Sequence, residues 1–225
     1  MNWEFSVLDF MLEHVQNDGF SNILRWVTYT GDGALIWFLV AIFLIIYPKT
    51  RGIGITCLIS LIFFAGLNVF VLKNVFERDR PFITNPFYLP YVEKWFYQPG
   101  SMLFGFAETP SGYSFLSGHT VGGVVVVTIL GAAFKSIQQQ ESSRVLKGIN
   151  IFVLSVLILW MTLIAFSRLY FLVHYPSDII CGALYGIMGG IIGYFFYVSI
   201  RDRSEAHFKA KAIKRRGHRI NDVVK

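Results

Sequence analysis

Long uncharged apolar runs alternate with short polar segments along most of this chain. Residues 34–47, 53–72, 118–134, 148–166 and 179–200 are such runs, and about 20 apolar residues suffice to cross the hydrocarbon layer as a helix. The first is short for a span. It is predicted to begin earlier, near Trp26 or Tyr29, whose rings suit the interfacial aromatic belt. In the last run Gly182, Gly186 and Gly190 recur every fourth residue, a spacing that lets helices approach closely in lipid and is read here as packing. The pattern predicts an all-α fold, a polytopic bundle of five spans.

Residues 1–30 are less regular. Phe5, Leu8, Met11 and Leu12 set against Glu4, Asp9 and Glu13 read as an amphipathic helix on the membrane surface. A sixth, imperfect span within residues 5–30 stays open. No basic start precedes an apolar core there, which argues against a secretory signal peptide. The chain divides into this interfacial segment (1–30), a transmembrane domain (31–200) and a basic tail (201–225).

Composition agrees with the pattern. Apolar residues make up 54% of the 225 positions and charged residues 15%, which excludes intrinsic disorder. Cys57 and Cys181 both lie inside apolar runs, so neither a disulfide framework nor a zinc cluster is expected. The net charge of +6 is a matter of topology, since segments 48–52, 135–147 and 201–225 hold fourteen of the 20 basic residues. By the positive-inside rule that face is cytoplasmic and the opposite face extracytoplasmic. Nucleic acid is not an expected partner. The tail cations Lys209, Lys211, Lys214, Arg215, Arg216 and Arg219 would meet anionic inner-leaflet lipid or remain solvated.

Chemistry collects on the other face, at helix ends. Lys73 closes the second span and Arg78 and Arg80 follow; Ser117, Gly118 and His119 open the third. Ser167 and Arg168 close the fourth, and His174 and Asp178 precede the fifth. Such a concentration of cations is costly beside hydrocarbon unless it binds something. Arginine forks and a lysine suit phosphate oxygens, and a glycine at a helix start lets backbone N–H groups approach an anion. Two histidines can divide phosphoryl transfer between nucleophile and general acid, and a carboxylate can orient one of them.

These residues also make a resemblance. Lys73 is separated by six residues from Arg80-Pro81; Leu116-Ser117-Gly118-His119 follows; Ser167-Arg168 then precedes His174 by five residues and Asp178 by three more. The chain resembles the type 2 phosphatidic acid phosphatase (PAP2) family in its bacterial form, with leucine at 116 where the family motif has proline. That departure touches the rigidity of the loop and leaves its Ser, Gly and His intact.

The resemblance implies a membrane-embedded lipid phosphatase that needs no cofactor or metal. His174 would attack phosphorus to form a phosphohistidine, with Asp178 orienting it, and His119 would protonate the leaving oxygen. Lys73, Arg80 and Arg168 would hold the phosphate, with Ser117 and Gly118 completing the cradle and Ser167 supporting it. Undecaprenyl diphosphate and phosphatidylglycerol phosphate are the favoured substrates. A lipid phosphotransferase using the same phosphohistidine, or a non-catalytic lipid-binding membrane protein, are the alternatives; the spans argue against a soluble haloperoxidase. Oligomeric state is left open.

The remaining polar residues get quieter readings. His14, His207 and His218 are read as structural or solvated, Arg78 as interfacial, and Glu77 with Asp79 as charge balance. The aromatic-rich loop 82–115 is read as headgroup anchoring, with a groove for the lipid chain as the sharper option.

Overall fold

The computed structural model describes residues 3–96, 110–140 and 143–223, with side chains described except at 137–140 and 204–223. The tail cations, His207 and His218 therefore lie outside the described side chains, and Tyr97, Phe104 and Phe106 outside the described residues. Among the described residues the regular structure is helical throughout. Five stretches are long and apolar enough to cross a membrane: Asp18–Ile46, Arg51–Thr84, Gly118–Ser136, Arg144–Tyr170 and Pro176–Arg203. Each takes in one predicted run almost whole. The chain is an all-α polytopic membrane protein.

No sixth span forms in residues 5–30. Helix α1 (Trp3–Phe10) and the π-helical turn Met11–Val15 are too short to cross a bilayer, and residues from Asp18 onward belong to the first span. Asn17 divides the two parts, because its extended backbone breaks the helix while its side chain accepts from the N–H of Phe20 at 2.9 Å, a standard N-cap.

The first span is itself broken. Helix α2 (Asp18–Gly31) and α3 (Leu35–Ile46) are joined by a 3-10 turn over Asp32–Ala34. Gly33 and Ala34 are both left-handed, at φ 56° and 60°. For alanine that conformation costs about 1–2 kcal/mol, so the turn persists because its surroundings hold it.

Helix α4 (Arg51–Leu67) continues through a π-helical turn, Asn68–Leu72, into the short α5 (Lys73–Phe76). The short α6 (Pro81–Thr84) starts on a proline, and α7 (Leu89–Phe96) follows. The bundle is completed by α8 (Gly118–Gln140), α9 (Arg144–Tyr170) and α10 (Pro176–Val223).

Helix α8 is the central post. Its run Val124–Val127 is β-branched and locally favours strand, but in lipid a lone segment must satisfy its own backbone, which only a helix does. Val121, Val125, Val126, Ile129 and Leu130 are buried against Trp37, Leu61 and Ile164. On α10, a Cβ at Gly186 would lie 2.7 Å from Val124 and one at Gly190 only 2.4 Å from Thr128. The four-residue glycine spacing is thus the contact between α8 and α10. Large apolar side chains such as Phe43, Phe63, Phe152 and Phe195 are exposed on the outer helix faces, as lipid-facing residues are.

A second apolar cluster caps one end of the bundle. It joins Leu8 of α1, Phe82, Tyr88, Val92, Trp95 and Phe96 to the 171–175 turn. Leu8 is fully buried, Phe5 stacks on Tyr88, and Tyr88 donates to Asp9 at 2.5 Å. The apolar face of α1 therefore meets protein. The 82–96 aromatics divide, with Tyr88, Trp95 and Phe96 inside and Phe87 and Tyr91 exposed.

Candidate active site

Four helix ends converge beneath this cap. The turn after α9 is tight, with Phe171 N–H bonded to Ser167 O (2.9 Å), Val173 N–H to Arg168 O (3.1 Å), and Leu172 left-handed. It reverses the chain into Pro176, the first residue of α10, and so presents His174 across from α8. Asp178, in the first turn of α10 and fully buried, accepts from Tyr175 N–H at 2.9 Å and faces His174 Nδ1 at 3.3 Å through the same oxygen, Oδ2. Carboxylate contact assigns the proton to Nδ1 and leaves the Nε2 lone pair free.

That Nε2 lies 3.5 Å from Arg80 Nη1. Arg80 is clamped by carbonyls, with Nε on Gly112 O (2.9 Å), Nη1 on Val173 O (2.9 Å) and Nη2 on Ser111 O (3.1 Å). Lys73 donates to the carbonyl of Tyr113. Arg168 donates through Nη1 to Thr28 Oγ1 at 2.7 Å, while its buried Nε has no partner among the described residues. Buried polar groups are normally satisfied, and this N–H is an exception among the described residues.

The cavity is about 650 Å³, and Lys73, Arg80, Gly118, His119, Arg168 and His174 all line it. Asp178, Ser117 and Ser167 stand behind that wall. Ser117 N–H reaches Asp178 O at 3.2 Å, its hydroxyl accepts from Thr120 at 3.1 Å, and Ser167 turns its hydroxyl to Ile164 O within its own helix at 2.6 Å. His174 lies between the spans and is buried; its pKa is held well below the ordinary 6.5, first by burial and then by Arg80, Arg168, Lys73 and His119. It is a neutral base among cations.

The leucine at 116 is held from α4. Asn68, in the π-helical turn, donates to Leu116 O at 3.2 Å and accepts from Leu116 N–H at 3.4 Å, and the Leu116 side chain joins the core. The loop entering α8 is thus tied by an asparagine.

Three residues at the site go beyond the sequence reading. Asp32 lines the cavity and lies 2.8 Å from His119 Nε2. Arg78 donates to Asp178 Oδ1 at 2.7 Å and to Ser177 Oγ at 2.6 Å. Glu4 pairs with Arg78 at 2.6 Å and accepts from Ser177 Oγ at 2.6 Å. Asp32 had a signal, a carboxylate beside an apolar run. Arg78 had one too, as an extra arginine between Lys73 and Arg80. Glu4 had none, because only the fold brings α1 to this end.

An all-helical membrane protein with two histidines and three cations lining one cavity, and a buried aspartate behind its wall, has the groups that phosphoryl transfer asks for. Residues 54–202 match the profile of the PAP2 superfamily, and the chain belongs to it. PAP2 phosphatases hydrolyse phosphoric esters. The chain is similar, at 30% identity over 152 residues, to an undecaprenyl-diphosphatase of Sulfolobus acidocaldarius. The match covers 67% of this chain and 58% of that relative, so the chain spans little more than half the relative's length.

Two crystal structures share the fold. One is a transmembrane PAP2 type phosphatidylglycerolphosphate phosphatase from Bacillus subtilis, with TM-score 0.63 and 19% identity over 88% of this chain and 86% of that one. The other is LpxE from Aquifex aeolicus, with TM-score 0.57 and 23% identity over 86% of this chain and 95% of that one.

Proposed function

We propose that this protein removes phosphate from a lipid phosphate or diphosphate at the extracytoplasmic face of the membrane, through a phosphohistidine on His174. One observation carries the reading. The cavity that holds the cations and histidines has an apolar wall of Phe38, Leu61, Ile62, Val69 and Phe70 from α3, α4 and the turn after it. An anionic head beside an apolar tail is the shape of a lipid phosphate.

In the first step the Nε2 lone pair of His174 attacks phosphorus, and the bond from phosphorus to the leaving oxygen breaks. Asp178 stabilises the positive charge that develops on the ring, and His119 gives the leaving oxygen a proton. In the second step His119 takes a proton from water as the water attacks phosphorus. The N–P bond then breaks, His174 is restored and phosphate leaves. Lys73, Arg80 and Arg168 neutralise the equatorial oxygens throughout, which is the task a metal performs elsewhere; the reading therefore needs no metal.

Undecaprenyl diphosphate is the first substrate to test, since the relative from Sulfolobus is named for it, with phosphatidylglycerol phosphate second. The test is phosphate release in detergent with EDTA, comparing the wild type with His174→Ala, together with ³²P trapping. Wild-type release and an acid-labile, base-stable phosphoenzyme, both lost in the variant, are expected. Label passing to a second lipid and not to water would mean a phosphotransferase, and silence in every assay would mean a binding protein. Sidedness is tested by a C-terminal reporter, expected on the cytoplasmic side.

A further inference from the structure

Each histidine at the site has its own carboxylate. Asp178 belongs to His174, and Asp32 lies 2.8 Å from Nε2 of His119, with both members of the pair about one-sixth to one-fifth exposed at the cavity. Asp32 is delivered by the break between α2 and α3, and that break presses on the ring itself. A Cβ added at Gly31 would lie 2.7 Å from His119 Cδ2 and 3.5 Å from Nε2. The Cδ2–Nε2 edge of the imidazole is therefore packed on residues 31–32, which fixes its orientation and leaves Nδ1 as the remaining proton site.

The charges explain why such a partner is needed. His119 shares its cavity with Lys73, Arg80 and Arg168, and like charges at close range oppose an imidazolium. A proton donor placed there needs a counter-anion at fixed distance.

We propose that Asp32 is a positioning residue for proton transfer to the leaving group. Its carboxylate accepts from Nε2–H and orients the ring of His119, so that when the ring also carries a proton on Nδ1 that proton passes to the leaving oxygen as the P–O bond breaks. The electron pair of that bond ends in the new O–H bond, and His119 is left neutral, ready to take a proton from water at the same nitrogen. This rests on the phosphohistidine reading above.

Leaving-group dependence tests it. The full-length enzyme is assayed in detergent under single-turnover conditions with phosphatidic acid, whose alkoxide needs a proton, and with p-nitrophenyl phosphate, whose phenolate does not. General acid catalysis contributes about 10²–10⁴-fold. Asp32→Asn is expected to slow the first substrate at least tenfold more than the second, His119→Ala to show the same selectivity more strongly, and the double variant to be no slower than His119→Ala. Asp32→Glu should recover part of the phosphatidic acid rate. Equal loss on both substrates, or no loss, in Asp32→Asn overturns the proposal. If His119→Ala itself shows no selectivity, the acid role of His119 fails as well; if it does and Asp32→Asn does not, only the role of Asp32 falls.

Discussion

Arg78 joins Asp178 to the N-terminal helix. Its Nη1 lies 2.7 Å from Oδ1 of the buried carboxylate, its Nη2 2.6 Å from Glu4, and its guanidinium 3.9 Å above the ring of Tyr175. Oδ2 of Asp178 is engaged by His174 and Tyr175 N–H, and Arg78 is the charged partner of Oδ1. Arg78→Ala removes the ion-pair partner of that oxygen. Removing one partner of a buried pair costs about 3–5 kcal/mol, and with Arg78 28% exposed the loss of stability should fall at or below the low end. Turnover should drop about 10–100-fold with little change in KM, as for other groups that orient a reacting side chain. Glu4→Gln should do the same more weakly. Steady-state kinetics beside thermal unfolding in detergent check this; a change in KM alone would contradict it.

The depressed pKa of His174 sets the acid side of the pH profile. The nucleophile acts as the neutral ring, so activity is lost as pH falls through its folded pKa. Because that value lies well below 6.5, the acid limb of kcat/KM should also lie below 6.5. Arg80 is the largest charge contributor, so Arg80→Ala, though slow, should move the limb up towards the ordinary value. Comparing the two enzymes on one substrate cancels the substrate's own ionisation. A limb that stays in place in Arg80→Ala would contradict the depressed pKa of His174.

Helices and motifs were legible because each is local. Apolar runs give the spans, and the spacings of Lys73 to Arg80 and Ser167 to Asp178 reflect turns within single connections. Contacts across the bundle were not. Glu4 and Arg78 are 74 residues apart, and a surface amphipathic helix and a capping helix have the same sequence pattern. The break at Asp32–Ala34 was hidden for another reason: Gly33 invites a turn, but the left-handed Ala34 has no residue signature. It shortened the apolar run and made the first span look incomplete.

Asn68 offers a separate test of the loop that enters α8. Both polar backbone atoms of Leu116 are buried and bonded to its side chain. Asn68→Ala orphans them, at about 1–3 kcal/mol for unsatisfied buried groups. Thermal unfolding should register the loss. Because Ser117, Gly118 and His119 follow directly, turnover should fall with it. Leu116→Pro removes the N–H donor and keeps the bond to Leu116 O, but it also gives up part of a buried apolar side chain, so its stability should fall as well. Unaltered stability in Asn68→Ala would mean that the loop is held from elsewhere.

The apolar wall makes the last prediction. Gly66 lines the cavity between α3 and α4, and a Cβ there would meet nothing closer than Phe70 Cδ2 at 3.9 Å. The position accepts a side chain without a backbone clash, so a large one must extend into the cavity or toward Phe70. If the lipid tail lies along Leu61, Ile62 and Val69, Gly66→Trp should raise KM for long-chain lipid phosphates. Each methylene kept from burial costs about 0.8 kcal/mol, so losing two or three should lower kcat/KM roughly tenfold or more. A short-chain phosphate, which leaves that wall bare, should be affected far less. The ratio of long-chain to short-chain kcat/KM is the measurement. An equal fall for both would place the tail outside this cavity and move the search for its path to the other faces of the bundle.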